Sequence, residues 1–414
     1  MRIDSGKVFL FRFLICLPLF LTTFVFVKAQ QIEAPLIKSE TNLVQNLNVF
    51  DALWEKVTTK YFDPKFNGVD WLKIRENYRP LVAKAVNKTE LLAILKKMLS
   101  ELKTSHLNIW QTVSKKKIEK KILTDFDPRS QILQLTYGFS LKNIDGKPVV
   151  IDIFPKTSAE AKKVKIGWKL LSFDGKPASA SDLDFGEIFE GRKIDLQFQD
   201  TQDKELKVTL TADWSVKKFS LASRLLVENI GYIRFDGFTA DMGKWLQIEL
   251  QKFDSVKGVI IDLRGNRGGF VEEVKKCLGQ FFVQNIEFGT FIERSGKTKD
   301  TEIKGKKDKA FKGKLVVLVD DESFSGAEIF AQIIKETGRG QIVGTHTKGL
   351  VLNSVEFGLP DDFRVSIAFR DYISPQGYRI EGKGVAPNFE VPLTIEEILK
   401  NRDLALEKAL EIIK

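Results

Sequence analysis

Two serines, two histidines and a glycine-rich turn are the parts of this chain whose types and spacing could do chemistry. The segment Asp320-Asp321-Glu322-Ser323-Phe324-Ser325-Gly326-Ala327-Glu328 leads an apolar run, Lys314 to Val319, into an amphipathic stretch through small residues. A hydroxyl at such a strand-to-helix junction is exposed for attack, and the first amides of the helix can hold a developing oxyanion. By itself the segment reads more plainly as a serine N-cap. A second turn, Asp262-Leu263-Arg264-Gly265-Asn266-Arg267-Gly268-Gly269, closes another apolar run and again leaves glycine amides at a helix start, a geometry suited to anions. It lacks the Gly-Lys-Ser/Thr ending of a P-loop, and alone it is equally a tight turn without chemistry. A serine nucleophile needs a base, and imidazole is the usual one near neutral pH. The chain has 2 histidines, His106 after Lys103-Thr104-Ser105 and His346 in Gly344-Thr345-His346-Thr347-Lys348-Gly349.

The elements around these residues follow from periodicity. Between Leu47 and Leu102 apolar residues recur at helical spacing, and Asn87 with Glu90 marks a helix start before Leu91, Leu92, Leu95, Met98 and Leu99. From about Ile132 to Ala212 the pattern changes to short β-like runs broken by Gly and Asp turns, which predicts a small β-rich module. Beyond residue 225 apolar strands at 231–235, 258–264 and 314–320 alternate with helical stretches, the signature of crossover connections and a layered α/β core.

Composition excludes several classes. At 414 residues, with 43% hydrophobic and 29% charged residues, the chain is globular and long enough for two or three folded units. The net charge of +10 is dispersed; its densest run, Lys115-Lys116-Lys117 with Lys120-Lys121, carries no aromatic interleaving, so a solvated face is expected and no nucleic-acid partner. Arg2, Lys7 and Arg12 precede the uncharged apolar run Phe13 to Val27, which reads as a signal peptide over residues 1–29, with membrane association if that segment is kept as an anchor. An exported, periplasmic or extracellular protein is the expectation. Cys16 falls in that segment, leaving Cys277 unpaired after processing, and 2 histidines with 2 cysteines give no credible zinc ligand set.

Taken together, these segments resemble the C-terminal-processing, or tail-specific, serine peptidases, and their tricorn-core branch in particular. The motifs that carry the resemblance are Asn48-Val49-Phe50-Asp51-Ala52-Leu53-Trp54, Leu102 to His106, Gly231 to Phe238, Asp262 to Gly269, Ser323 to Glu328, Gly344 to Thr347, and Ser374-Pro375-Gln376-Gly377 with Gly384 to Pro387. The resemblance implies an α/β multidomain fold: a helical region at 30–125 carrying Ser105-His106, a PDZ-like module at 130–213, and a crotonase/ClpP-like layered core at 220–414. It implies Ser325 as nucleophile, His106 as base, Ser105 and Glu381 as orienting groups, an oxyanion hole from the amides of Gly326 and Gly268, and no cofactor or metal. Tyr137-Gly138-Phe139-Ser140-Leu141 resembles the carboxylate-binding loop of a PDZ domain, so the amides of Gly138 and Phe139 are expected to take a peptide C-terminus. The lysine-dependent branch places its base where this chain has Leu350; Lys348 lies two positions earlier, in a polar stretch. Expected partners are peptide or unfolded-protein substrates. The competing expectations are a catalytically inactive relative that binds peptides or small apolar ligands, and a Ser-Lys peptidase using Lys348.

Overall fold

A computed structural model describes residues 30–414 apart from 113–130, 180–184, 186–187, 219, 254 and 297. The expected signal peptide, residues 1–29, and the basic run around Lys115 lie outside the described residues. Among the described residues no helix is long and apolar enough to cross a membrane.

The core is built on a six-stranded sheet in the order Leu221–Leu226, Ile230–Phe235, Gly258–Asp262, Lys314–Val319, Gln341–Gly344, Phe389–Glu390. The first two strands are antiparallel and the others parallel. All five residues of Gly258–Asp262 are buried, as a strand covered on both faces requires. The helices Met242–Gln251, Val271–Gly279 and Gly326–Glu336 pack on one face, through Leu246, Leu250, Val274, Cys277, Leu278, Phe330 and Ile333. Leu404–Ile413 covers the other, setting Ala405, Ala409 and Ile413 against Ile230, Tyr232, Ile260 and Val316. Helices thus cover both faces of the sheet, in keeping with the layered α/β core expected beyond residue 225.

Three helices open the described chain: Gln30–Lys60, Trp71–Lys84 and Lys88–Ser100. Asn87 caps the third, accepting from the Glu90 amide at 2.9 Å, while Glu90 reaches back to the Val86 amide at 3.0 Å. The helices share their apolar core, Phe50, Leu53, Leu91 and Leu95, with Phe363, Val365 and Ile367 of a second sheet. In that sheet the long strand Phe363–Ile373 pairs with Asn108–Gln111, Ile286–Glu293 and Asn353–Gly358. The helical region is therefore stitched into the body by strand pairing just beyond His106.

Residues 131–218 form the β-rich module. Gln131–Thr136 pairs with Asp213–Lys218, and a second sheet runs Phe139–Ile144, Lys147–Ile153, Lys169–Phe173, Lys193–Gln199, Glu205–Thr211 around a core of its own that includes Val150, Leu170, Leu196, Phe198 and Leu210. Its edge strand, Phe139–Ile144, turns toward the core. Lys142, its side chain only 10% exposed, pairs with Asp320 at 2.7 Å and Asp321 at 2.9 Å, at the head of the turn that carries Ser325. Burial pushes the Asp320 carboxyl up, but Lys142 and the amides of Gly265 and Glu322 outweigh it and hold the group below its ordinary range. Such a carboxylate adds stability above its unfolded value near ~3.9 and loses it as pH falls through the lower folded value. Lys142→Met is therefore expected to cost about 1–3 kcal/mol at pH 7 and much less near pH 3, in urea unfolding of the two chains at each pH.

Candidate active site

Two parallel neighbours, Gly258–Asp262 and Lys314–Val319, end side by side, and their C-terminal turns meet. Ligands in open α/β sheets bind at such strand ends. The first turn is clamped from below by Asp262, which is fully buried. Burial pushes its carboxyl up, yet Arg264, Arg234 and the Tyr232 hydroxyl hold it below the usual range. Arg264 in turn bridges to Asp403 through two contacts of 2.8 Å.

Ser325 sits at the second turn with φ 59° and ψ −120°, directly before the helix Gly326–Glu336. For a residue with a Cβ this backbone costs of order 1–3 kcal/mol and must be imposed by its surroundings. Glu328 imposes it. Its buried carboxylate accepts from the Ser325 amide at 3.0 Å, the Thr347 hydroxyl at 2.5 Å, the Gly349 amide at 2.6 Å and the Leu350 amide at 2.8 Å. Burial outweighs these donors and raises its carboxyl above the ordinary range. The sequence reading assigned Glu328 no role, although the Ser-x-x-Glu spacing of a capping box was there to find it.

His106, with φ 56°, stands between the third helix and the strand Asn108–Gln111. Its Nδ1 lies 2.8 Å from Ser105 Oγ, which donates to Glu381 Oε2 at 2.9 Å. Glu381, 7% exposed, also accepts from the Ser105 amide at 3.1 Å and the Val351 amide at 2.8 Å. The single hydroxyl proton of Ser105 goes to the carboxylate, so the proton in the 2.8 Å contact belongs to Nδ1. Nε2 is left with its lone pair, the form a general base needs. Burial pushes the imidazole below its ordinary value near ~6.5, opposed by Glu381.

His106 and Ser325 line one cavity of about 340 Å³, together with Arg267, Gly269, Phe270, Gly326 and Asn353. Among the described residues no hydrogen bond joins the two side chains; catalytic contacts commonly tighten only around substrate. Lys348 is exposed and lines a different cavity, on the Ser105 and Glu381 side of the relay. His346 is also exposed, its Nδ1 2.8 Å from the Thr347 carbonyl.

Two expected donors are corrected by the geometry. Gly268 gives its amide to Asn266 Oδ1 at 2.9 Å, so that amide is spent on the turn. Gly268 serves by having no side chain, since a Cβ there would come within 2.6 Å of both Gly326 N and Ser325 Cβ. Its neighbour Gly269 lines the cavity, and among the described residues its amide meets no acceptor; the same holds for Gly326. In the β module the Gly138 amide is likewise taken, by Thr136 Oγ1 at 3.0 Å, which leaves Phe139 of the expected pair. At the sheet edge Asn388 exchanges two hydrogen bonds with the Ile342 backbone, at 2.8 and 2.9 Å.

Comparison with known proteins agrees with this arrangement. Residues 229–391 match the model of peptidase family S41, and residues 45–100 that of the tricorn protease C1 domain. The carboxy-terminal processing protease CtpB of Bacillus subtilis is 27% identical over 62% of this chain and 57% of its own length. Putative tricorn protease homolog 2 of Streptomyces coelicolor is 24% identical over 88% of this chain and 32% of its own, so the chain spans well under two thirds of either relative. The solved photosystem II D1 C-terminal processing protease shares the fold, with a TM-score of 0.56 at 21% identity over 85% of this chain and 94% of that one. Both family models fall on segments that carry site residues or the helices supporting them, so residues 229–391 carry the likeness to peptidase family S41 and the chain is similar to the C-terminal-processing and tricorn-like serine peptidases.

Proposed function

We propose that the protein is an exported serine endopeptidase that cuts unfolded or C-terminally tagged proteins through an acyl-enzyme, without a cofactor. The observation that carries this reading is the Glu381–Ser105–His106 relay opening on the cavity that holds Ser325. Ser325 Oγ attacks the scissile carbonyl carbon while its proton passes to His106 Nε2. The oxyanion is met by the amides of Gly326 and Gly269 and by the positive end of the helix Gly326–Glu336. Collapse expels the amine, which takes the proton from Nε2. Water, activated by the same nitrogen, then releases the acyl group and restores Ser325. The edge strand Phe139–Ile144, free on one side of its sheet, supports a PDZ-like module that takes a peptide by strand addition, with the Phe139 amide toward its C-terminus. Secretion rests on the basic and apolar character of residues 1–29.

A fluorophosphonate probe should label Ser325; an unlabelled serine would favour the peptide-binding alternative. Ser325→Ala is expected to lower turnover of an unfolded protein by about 10⁴–10⁶ with unchanged far-ultraviolet dichroism. His106→Ala should cost about 10³-fold or more in kcat, Lys348→Ala less than about tenfold, and Glu381→Gln an intermediate amount. A dead Lys348 variant beside an active His106 variant would return the chain to the lysine-dependent chemistry.

Since the base must be neutral and burial lowers its pKa, kcat/KM should rise with pH through a midpoint below ~6.5 and be level at pH 7. A midpoint above ~7 would contradict the assignment of His106. Glu328→Gln places an NH₂ group against amides that need an acceptor. Fluorophosphonate labelling is expected to slow by about tenfold or more, with a drop in Tm of a few degrees.

A further inference from the structure

We propose that the pocket beside the oxyanion turn takes a carboxylate of the substrate, so that the enzyme selects peptides bearing an acidic group next to the scissile bond. The inference rests on the peptidase reading and names the substrate class of that same site. The pocket, about 470 Å³, is lined by Phe270, Val271, Phe291 and Arg370, with Glu272, Glu273 and Lys275 also on its wall. It shares Phe270 and Val271 with the catalytic cavity. Phe270 directly follows Gly269 and is 64% exposed, so a peptide lying across Ser325 meets this ring and the pocket behind it.

Of the charged groups that line the pocket, Arg370 is the one without a counter-ion among the described residues, since Glu272 pairs with Lys275 and Glu273 with Lys276. Arg370 stacks on the rings of Phe291 and Phe369, at 4.8 and 4.5 Å. Among the described residues its guanidinium forms no ion pair and no hydrogen bond, and its Nε is closed off from solvent. Thr301 Oγ1 is buried and without a partner in the same way. The carboxylates nearby are engaged elsewhere. Glu273 holds Lys276 and the Gly243 amide, Glu272 holds Lys275, and Asp371 holds Arg379. Glu293, opposite Arg370 across the strand pair, makes no ion pair with it among the described residues.

A neutral side chain entering this pocket gives the guanidinium no charge to pair with. A carboxylate on a short apolar stem pairs with the guanidinium, a match of planar fork to planar acceptor, while its stem lies on Phe270 and Phe291. An acidic side chain and a peptide's terminal carboxylate offer the same chemistry, and the test separates them.

Internally quenched decapeptides that differ only in Glu, Gln or Leu walked through the central positions, each with a free and an amidated C-terminus, are cleaved by the parent chain and by Arg370→Met. At one position the parent is expected to prefer Glu over Gln by about tenfold or more in kcat/KM, through KM. Arg370→Met should bring that ratio to about one with the Gln peptides unchanged, and Arg370→Lys should keep part of it. Preference that follows the free C-terminus instead assigns the pocket to the chain end. Equal loss on Glu and Gln peptides, or an undiminished ratio in Arg370→Met, would overturn the inference. Binding of the labelled Glu and Gln peptides to the full Ser325→Ala chain, read by fluorescence anisotropy, needs no turnover. Arg370-dependent binding of the Glu peptide there, beside a parent that cleaves nothing, would sink the peptidase reading and leave the pocket standing.

Discussion

One buried carboxylate holds the site in register. Glu328 ties the strained turn of Ser325 to the segment 347–350, through the Ser325 amide on one side and the Thr347 hydroxyl and the amides of Gly349 and Leu350 on the other. The next residue, Val351, then donates to Glu381, whose other contacts orient Ser105 and through it His106. Nucleophile and base are thus referenced to a single anion. In a medium of low polarity each of these bonds is stronger than it would be in water, and the loss of any donor leaves a charge poorly compensated. That explains why a residue outside the reaction occupies a place where a packed apolar side chain would ordinarily be more stable.

Much of this was legible in the residues. The strands that end at Asp262 and Val319 announce themselves as apolar runs, and the change to glycine and serine at their ends marks the turns that meet. Asn87 and Glu90 give the third helix its start by a local rule that tertiary structure does not disturb. The pairing of Ser105 with Glu381 is different in kind. These residues lie 276 positions apart, and no periodicity or spacing connects them; only the resemblance to a family did. The oxyanion turn went wrong for a related reason. Which of two adjacent glycines keeps a free amide depends on where Asn266 Oδ1 falls, and a side-chain acceptor inside a turn is invisible to motif reading. The Gly138 amide, captured by Thr136, is the same case on a smaller scale.

The departures from the family pattern acquire separate meanings in three dimensions. Leu350 stands where the other branch has its lysine, and its backbone is put to use as a donor to Glu328 while the imidazole of His106 takes over proton transfer in the proposed chemistry. Asn388 donates its backbone N–H to the Ile342 carbonyl and accepts the Ile342 amide on Oδ1, two bonds that tie the sheet edge and leave the site alone. Arg267 lines both the cavity that holds Ser325 and the larger cleft of about 580 Å³ against the β module. The place of Lys142 on that module's edge strand, paired to Asp320 at the head of the Ser325 turn, makes the cleft a physical junction between the β module and the candidate active site.

The distance along the chain between Ser105 and Glu381 also governs when a working site can exist. His106 arrives early in synthesis and Ser325 late, but the group that orients the imidazole follows later still, and the strand Phe389–Glu390 and helix Leu404–Ile413 that complete the sheet come last. Contacts of such long range form only after most of the chain has been threaded and collapsed. A chain still being made therefore carries Ser325 before His106 has its orienting partner. Topology alone delays the assembly of the Glu381–Ser105–His106 relay until the last strand and helix of the sheet have been made.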